Sequence, residues 1–311
     1  MTSRAVQYRR YGGPEVLELV EREDPTPGPG EVRIAVRAAS VNPVDWKIRS
    51  GGMARADAPD APTVPGMDLA GTVEEVGPEV TDLQVGAEVL GRTGHGAFAE
   101  KTIAAAGALT AKPAAVSWEA AASLPVIATT AYRTLELLGL GEGEHPDRTL
   151  VVDGASGGVG TLVVQLARAR GVTVVGSGSE AHQEDLRALG ALPVVYGEGL
   201  ADRVRSALDG RSVDAALDAA GKGSLPALIE LTGSADRVLT IADPTAGDHG
   251  VRFTGGSASE EVPGALADAV ARVADGRLTL PTITTYPLDD AARAQSDNES
   301  GAVAGKLVVT L

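Results

Sequence analysis

At 311 residues the chain exceeds what one hydrophobic core usually fills, so two domains are expected; with 43% apolar but only 3% aromatic residues, their interiors fall to Ala, Val and Leu. A formal charge of -15 offers no basic stripe and argues against a nucleic-acid or anionic-membrane partner. Zero cysteines exclude a disulfide framework, a thiolate metal site and a cysteine nucleophile, and with no membrane-length apolar run and no apolar leader at the start a cytoplasmic protein is expected.

In chain order, short strands come first. Residues 16–20, 31–37, 71–76 and 88–91 read as strands, split by Gly/Pro-rich turns at 24–30 and 58–65. Strands this short and closely spaced predict an all-β unit of barrel or sandwich type. Ser117 reads as an N-cap, with Glu119 in the first turn of a helical pattern that runs to Leu138. After Thr149 the pattern alternates. Strands at 150–152, 172–175, 193–196, 215–218, 237–241 and 251–254 are interleaved with helices at 161–170, 180–189, 201–208 and 263–273. Such alternation predicts βαβ units and a parallel sheet with helices on both faces. The tail from 278 to 311 again reads as strands.

The most informative stretch is the turn between the strand at 150–152 and the helix at 161–170. Ala155, Gly157 and Gly160 occupy the three positions of a G-x-G-x-x-G fingerprint, with Ser156, Gly158 and Val159 between them. Alanine at the first position still permits a tight turn, Gly157 admits a pyrophosphate, and Gly160 lets helix and strand pack closely. Backbone N–H groups at the helix N-terminus then cradle the phosphates of a dinucleotide. NAD enzymes commonly place an acid about 20 residues further on, against the ribose 2′-hydroxyl. Here residues 176–179 read GSGS. Ser177 and Ser179 can donate to a 2′-phosphate, Ser179 can also cap the next helix, and His182 is the nearest cation, so NADPH is the predicted cofactor.

Residues 11–17 (YGGPEVL), 27–32 (PGPGEV), 41–51 (VNPVDWKIRSG), 66–71 (GMDLAG) and 305–309 (GKLVV) together resemble the zinc-free quinone oxidoreductase branch of the medium-chain dehydrogenase/reductase superfamily. The resemblance implies an α/β architecture. A GroES-like catalytic β domain over 1–122, completed by 276–311, would surround a Rossmann domain with a doubly wound parallel sheet over 123–275, the cofactor lying in the cleft between them. Related NADPH enzymes usually add Lys or Arg after the second strand, where this chain continues Glu180, Ala181, His182. Where zinc-dependent relatives carry their first ligand this chain has residues 42–45 (NPVD), and Met67 stands where a histidine would be expected. Asp68 remains, but one carboxylate cannot hold Zn²⁺ without N or S partners, so no metal is expected.

The chemistry so implied is hydride transfer to a quinone, or to the β-carbon of an enone or enoyl thioester, followed by a proton. Asn42 is either a nicotinamide-side or substrate contact or simply an Asn-Pro turn. Lys47 is either a proton donor that stabilises an enolate or quinolate, or a solvated lysine. Asp45 either joins this catalytic set or pairs Lys47 or Arg49 structurally. Thr130 matches a family cofactor contact or caps a helix. Tyr196 packs beside the ribose or is structural, and Ala242 completes the cofactor set. His95 lies on a loop that borders the substrate in relatives, and reads more readily as a bystander than as an acid. The expected protein is an NADPH-dependent quinone or enone reductase, the alternatives being an enoyl-thioester reductase or a non-catalytic NADPH-binding protein. Relatives often dimerise through the edge of the Rossmann sheet, which makes 250–254 the candidate edge of a homodimer.

Overall fold

The computed structural model describes residues 1–53 and 61–311; the first part of the Pro-rich turn expected at 58–65, residues 58–60, lies outside them. The chain divides into two compact units, Met1–Val126 with Leu266–Arg277 and Thr282–Leu311, and Ile127–Ala265 with Leu278–Pro281.

In the first unit, β1 (Thr2–Gln7) and β2 (Glu18–Glu23) pair antiparallel. The main sheet uses β3 (Glu31–Val41), β4 (Asp68–Val76), β5 (Glu88–Arg92), β6 (Lys101–Ala105) and β7 (Leu109–Ala111). From the far end of the chain it adds β14 (Ile283–Pro287) and β15 (Lys306–Thr310). Its order is β14-β15-β3-β4-β5-β7, with β6 paired to β3. Alternation explains β3: Val32, Ile34 and Val36 turn into the core while Arg33 and Ala35 stay half-exposed, the period-2 signature of a half-buried strand. They meet Leu69, Val73, Val89, Phe98, Leu307 and Val309. The pairing of β3 with β4 shifts register between Val36 and Ala38. Gly71 sits opposite Val36, and a Cβ there would lie 2.3 Å from the Ala35 carbonyl oxygen, so only glycine lets the two backbones approach.

In the second unit, β8 (Thr149–Asp153), β9 (Thr173–Gly178), β10 (Leu192–Val195), β11 (Ala215–Asp218), β12 (Val238–Thr240) and β13 (Arg252–Phe253) form one parallel sheet in the order β10-β9-β8-β11-β12-β13. Numbered within the unit this is 3-2-1-4-5-6, the doubly wound order, whose switch point falls between β8 and β11. All five residues of β8 are buried, as a central strand covered on both faces requires.

The helices are α1 (Pro43–Arg49), α2 (Trp118–Ser123), α3 (Pro125–Leu137), α4 (Gly158–Ala169), α5 (Gln183–Ala188), α6 (Leu200–Leu208), α7 (Leu225–Thr232), α8 (Ala265–Ala274) and α9 (Ala291–Ser300). Ser117 caps α2 by accepting the Ala120 N–H at 3.2 Å. The single helix expected to run on to Leu138 is two, because Pro125 has no N–H with which to continue the ladder. The helix expected at 180–189 opens as a 3₁₀ turn and is α-helical only over α5. The tail holds α9 besides its strands. Among the described residues no helix is long and apolar enough to cross a membrane.

Candidate active site

At the carboxyl end of β8 the chain reverses at Gly154, which has φ +79. The left-handed turn therefore falls one residue before Ala155, the position expected to make it. Ala155 itself is buried. Gly157 is the N-cap of α4 and exposed, and a Cβ on it would meet only the Gly154 carbonyl oxygen, at 3.3 Å. Gly160 is different. A Cβ there would stand 2.3 Å from the Gly154 oxygen and 2.7 Å from the Ala155 Cα, so the first turn of α4 lies directly on the loop's backbone. Ser156, Gly158 and Val159 are half-buried along the same rim. No side chain at the N-cap covers the first N–H groups of this 12-residue helix, whose partial positive end suits a phosphate.

Neighbouring strand ends hold this loop in place. The Ser177 hydroxyl donates to Asp153 Oδ1 and accepts the Gly154 N–H at 3.1 Å. Ser177 is fully buried, because β9 continues to Gly178 and its pleat turns Ser177 inward. It ties the loop to β9, and the expected donation to a 2′-phosphate is not open to it. Ser179 is half-buried and its Oγ lies 2.8 Å from His182 Nδ1; it stands at the N-cap of the 3₁₀ turn without a side-chain cap bond. Tyr196 follows β10 and is 57% exposed. The carbonyls of Val195, Tyr196, Gly197 and Glu198 converge on the Arg203 guanidinium at 2.8–3.2 Å. Asp218, at the end of β11, accepts the N–H groups of Ala220 and Gly221 and the Thr240 hydroxyl, and burial pushes its carboxyl above the usual range. The Ala242 N–H donates in turn to Thr240 Oγ1 at 3.1 Å. Thr130 lies inside α3, accepting Arg133 Nη2 at 3.4 Å, so it caps no helix.

In the first unit a second polar group gathers at one end of the sheet. Ser40 pairs with Asp68 and Asp68 with Arg92, while Leu307 pairs with Val41, so β3, β4 and β5 set Ser40, Asp68 and Arg92 in a row and β15 brings Lys306 to the same end of the sheet beside Asn42. Asn42 ends β3 and is the N-cap of α1. Its Nδ2 donates to Asp68 Oδ2 at 2.9 Å and its Oδ1 accepts Lys306 Nζ at 2.7 Å. The Ser40 hydroxyl and the Val126 N–H also reach Asp68 Oδ2. The Asn42 N–H donates to Asp45 Oδ2 at 2.7 Å, the backbone-holding half of a capping box. Burial pushes the Asp45 carboxyl up to about 7, raises that of Asp68 and lowers the Lys306 ammonium.

The structure thus brings Asn42 and Asp45 into direct contact, while Lys47 lies on the same short helix, half-exposed, its Nζ 5.8 Å from the centre of the Trp46 ring. Asp45 pairs with neither Lys47 nor Arg49. Arg49 is fully buried and donates to Gln295, Glu299 and the Gly12 carbonyl, and among the described residues no carboxylate forms an ion pair with Lys47. His95 is exposed, and it borders one hollow with Asp45, Tyr8 and Gly66. The reading of the sequence assigned no role to Lys306 or Asp218. Each left a signal: a lysine opening the apolar run KLVVT, and an aspartate closing the buried strand AALD.

Zinc does not fit the first unit's cluster. One oxygen of each carboxylate, Oδ2 of Asp45 and of Asp68, is already engaged by N–H groups, no thiolate exists in the chain, and an ammonium stands among them. Among the described residues no three His, Cys, Asp or Glu side chains converge as ligands.

Residues 28–114 match the alcohol dehydrogenase GroES-like domain family and residues 189–309 the zinc-binding dehydrogenase family. A quinone oxidoreductase of Pseudomonas aeruginosa is 33% identical over 289 residues, covering 91% of this chain and 82% of that one. A 2-methylene-furan-3-one reductase of Solanum lycopersicum is 32% identical, covering 98% and 78%. The structure of the Escherichia coli quinone oxidoreductase complexed with NADPH superimposes with a TM-score of 0.84 at 25% identity, over 100% of both chains. With that likeness along nearly its whole length, the chain belongs to the quinone oxidoreductases of the medium-chain dehydrogenase/reductase superfamily and is an oxidoreductase of the NAD(P)-dependent kind.

Proposed function

We propose that the protein reduces a small electron-poor acceptor, a quinone or an α,β-unsaturated ketone, with NADPH. The observation that carries this reading is the glycine loop at the start of α4, with Gly157 exposed at the N-cap, on the carboxyl edge of a sheet in doubly wound order. β9 closes on Gly178, followed by Ser179 and not by an acid, Glu180 falling in the next turn, and this supports NADPH over NADH. The likeness to a quinone oxidoreductase and to a 2-methylene-furan-3-one reductase supports the acceptor class. In this reading the second unit, 127–265 with 278–281, takes the nucleotide in place of the expected 123–275, and the first unit carries the substrate chemistry.

When bound, NADPH supplies the hydride. The chain's part is to orient the acceptor and deliver a proton. Lys47 carries an ammonium on a helix whose start is fixed by the Asn42–Asp45 contact, and it donates to the acceptor oxygen as negative charge develops there. Asn42, with both ends of its amide engaged, keeps that helix in place.

The test is steady-state oxidation of NADPH and NADH with a benzoquinone and a small enone, alongside calorimetric titration of both nucleotides. NADPH-dependent turnover with either acceptor is expected, and failure of both nucleotides to bind overturns the reading. Lys47→Ala should lower the hydride-transfer rate about a hundredfold and leave NADPH affinity within twofold. An unchanged stopped-flow rate removes Lys47 from the mechanism.

A further inference from the structure

Lysine is almost never fully buried unless it is paired. Lys306 is 5% exposed at the start of β15, beside the buried Leu307, Val308 and Val309. The residue before it fixes its position. Gly305 has φ +88, and a Cβ on it would lie 2.1 Å from the Thr282 carbonyl oxygen, so glycine alone lets the chain enter β15 here. The ammonium does not meet a carboxylate directly. It donates to Asn42 Oδ1 at 2.7 Å and to the Val41 carbonyl at 3.5 Å, while the other end of the same amide donates to Asp68 at 2.9 Å.

An amide held between a cation and an anion has its dipole aligned with both, and each of its hydrogen bonds is charge-assisted. Flipping the amide would turn N–H groups toward the ammonium and the carbonyl toward the carboxylate. Asn42 is therefore locked in one orientation. Asn42 is also the N-cap of α1, and the Asp45 side chain holds its backbone N–H. The start of the helix that carries Lys47 is thus set by a charge pair acting through one side chain.

We propose that Lys306 is a positioning residue. Its ammonium, acting with Asp68 through the Asn42 amide, orients the first turn of α1 and with it Lys47. The inference rests on the reading of Lys47 as the proton donor. It also gives a physical reason for a lysine in the closing GKLVV run, which packing alone would fill with an apolar residue.

The experiment compares Lys306→Met, Asp68→Asn and the double variant in the full-length protein, with kinetics and ¹⁵N NMR of the Asn42 side-chain amide. Lys306→Met keeps the volume and removes the charge. It should lower kcat with a quinone about tenfold through misplacement of α1, leave the NADPH KM within twofold, and shift the Asn42 amide signals. In the double variant neither charge is left to orient the amide, so kcat should stay at least as low as in Lys306→Met. Should Lys306→Met fail to fold, the charge-balanced double variant is expected to fold and to carry the same shift. A wild-type kcat in Lys306→Met, unmoved Asn42 signals in the folded variant, an NADPH KM that rises in step with the loss, or a double variant that also fails to fold would each overturn the proposal. Failure of the reductase reading looks different: the wild type then turns over no quinone or enone, while the Asn42 signals still report on Lys306.

Discussion

Asp45 is the residue where physical chemistry makes the sharpest demand. Burial lifts its carboxyl from 3.8 to about 7, so the folded state binds a proton that the unfolded chain releases. The contribution is fully present below the unfolded value near 4 and is lost as pH rises through about 7. Asp68, also raised by burial, acts in the same direction. The contribution of Asp45 to stability should therefore decline between pH 4 and pH 7. Asp45→Asn keeps an acceptor for the Asn42 N–H but cannot ionise, and urea melts of this variant should show a shallower decline. An identical pH slope would return Asp45 to the ordinary carboxylate range. Other residues show how far a pattern of letters reaches. Gly160 was legible because close backbone approach leaves a glycine in the sequence. That the left-handed turn belongs to Gly154 was not, since the sign of φ has no letter. Ser177 was misread because strand ends cannot be placed to the residue, and a strand two or three residues longer turns it inward.

Among elements, α1 and α9 show what periodicity detects and what it hides. The stretch 42–51 was recognised by its letters, yet its helical character is local: an Asn N-cap, Pro43 at the first position where a missing N–H costs nothing, and Asp45 two residues later. In α9 the buried positions are Ala291, Ala294 and Gln295, a stripe too weakly apolar to stand out, so a tail read as strands contains a helix. Tertiary bonds compensate for that weak stripe. Arg49, the last residue of α1, is fully buried and donates to Gln295 at 2.7 Å and Glu299 at 2.7 Å, joining α1 to α9. Removing it leaves the Gln295 amide oxygen without its donor and Glu299 without its cation. Arg49→Ala should cost about 3 kcal/mol, the lower end for breaking a buried pair because Glu299 is part-exposed. Chemical denaturation checks this, and a loss below about 1 kcal/mol would mean that α9 docks without the guanidinium.

At the scale of the whole molecule, alternating strands and helices after Thr149 were enough to predict a parallel sheet in the second unit, because each βαβ step allows essentially one hand; that β11 returns to pair with β8 and not with β10 was not in the pattern. The assignment of 266–277 to the first unit had no counterpart in the letters, since no composition shift marks it. One consequence of the strand order concerns the sheet's end. β13 is the last strand and only two residues long, parallel to β12 on one side, and Phe253 on it is 51% exposed. An open edge with an aromatic beside it invites pairing with another chain. Across a two-fold axis a second copy would offer the same edge in antiparallel register, closing the assembly at two. Wild-type protein should therefore sediment as a dimer at micromolar concentration. Phe253→Glu, which places like charges opposite each other across that axis, should sediment at the monomer mass of 31.5 kDa while keeping its affinity for NADPH. A wild type that sediments as a monomer, or a Phe253→Glu variant that remains dimeric, would remove β13 as the contact.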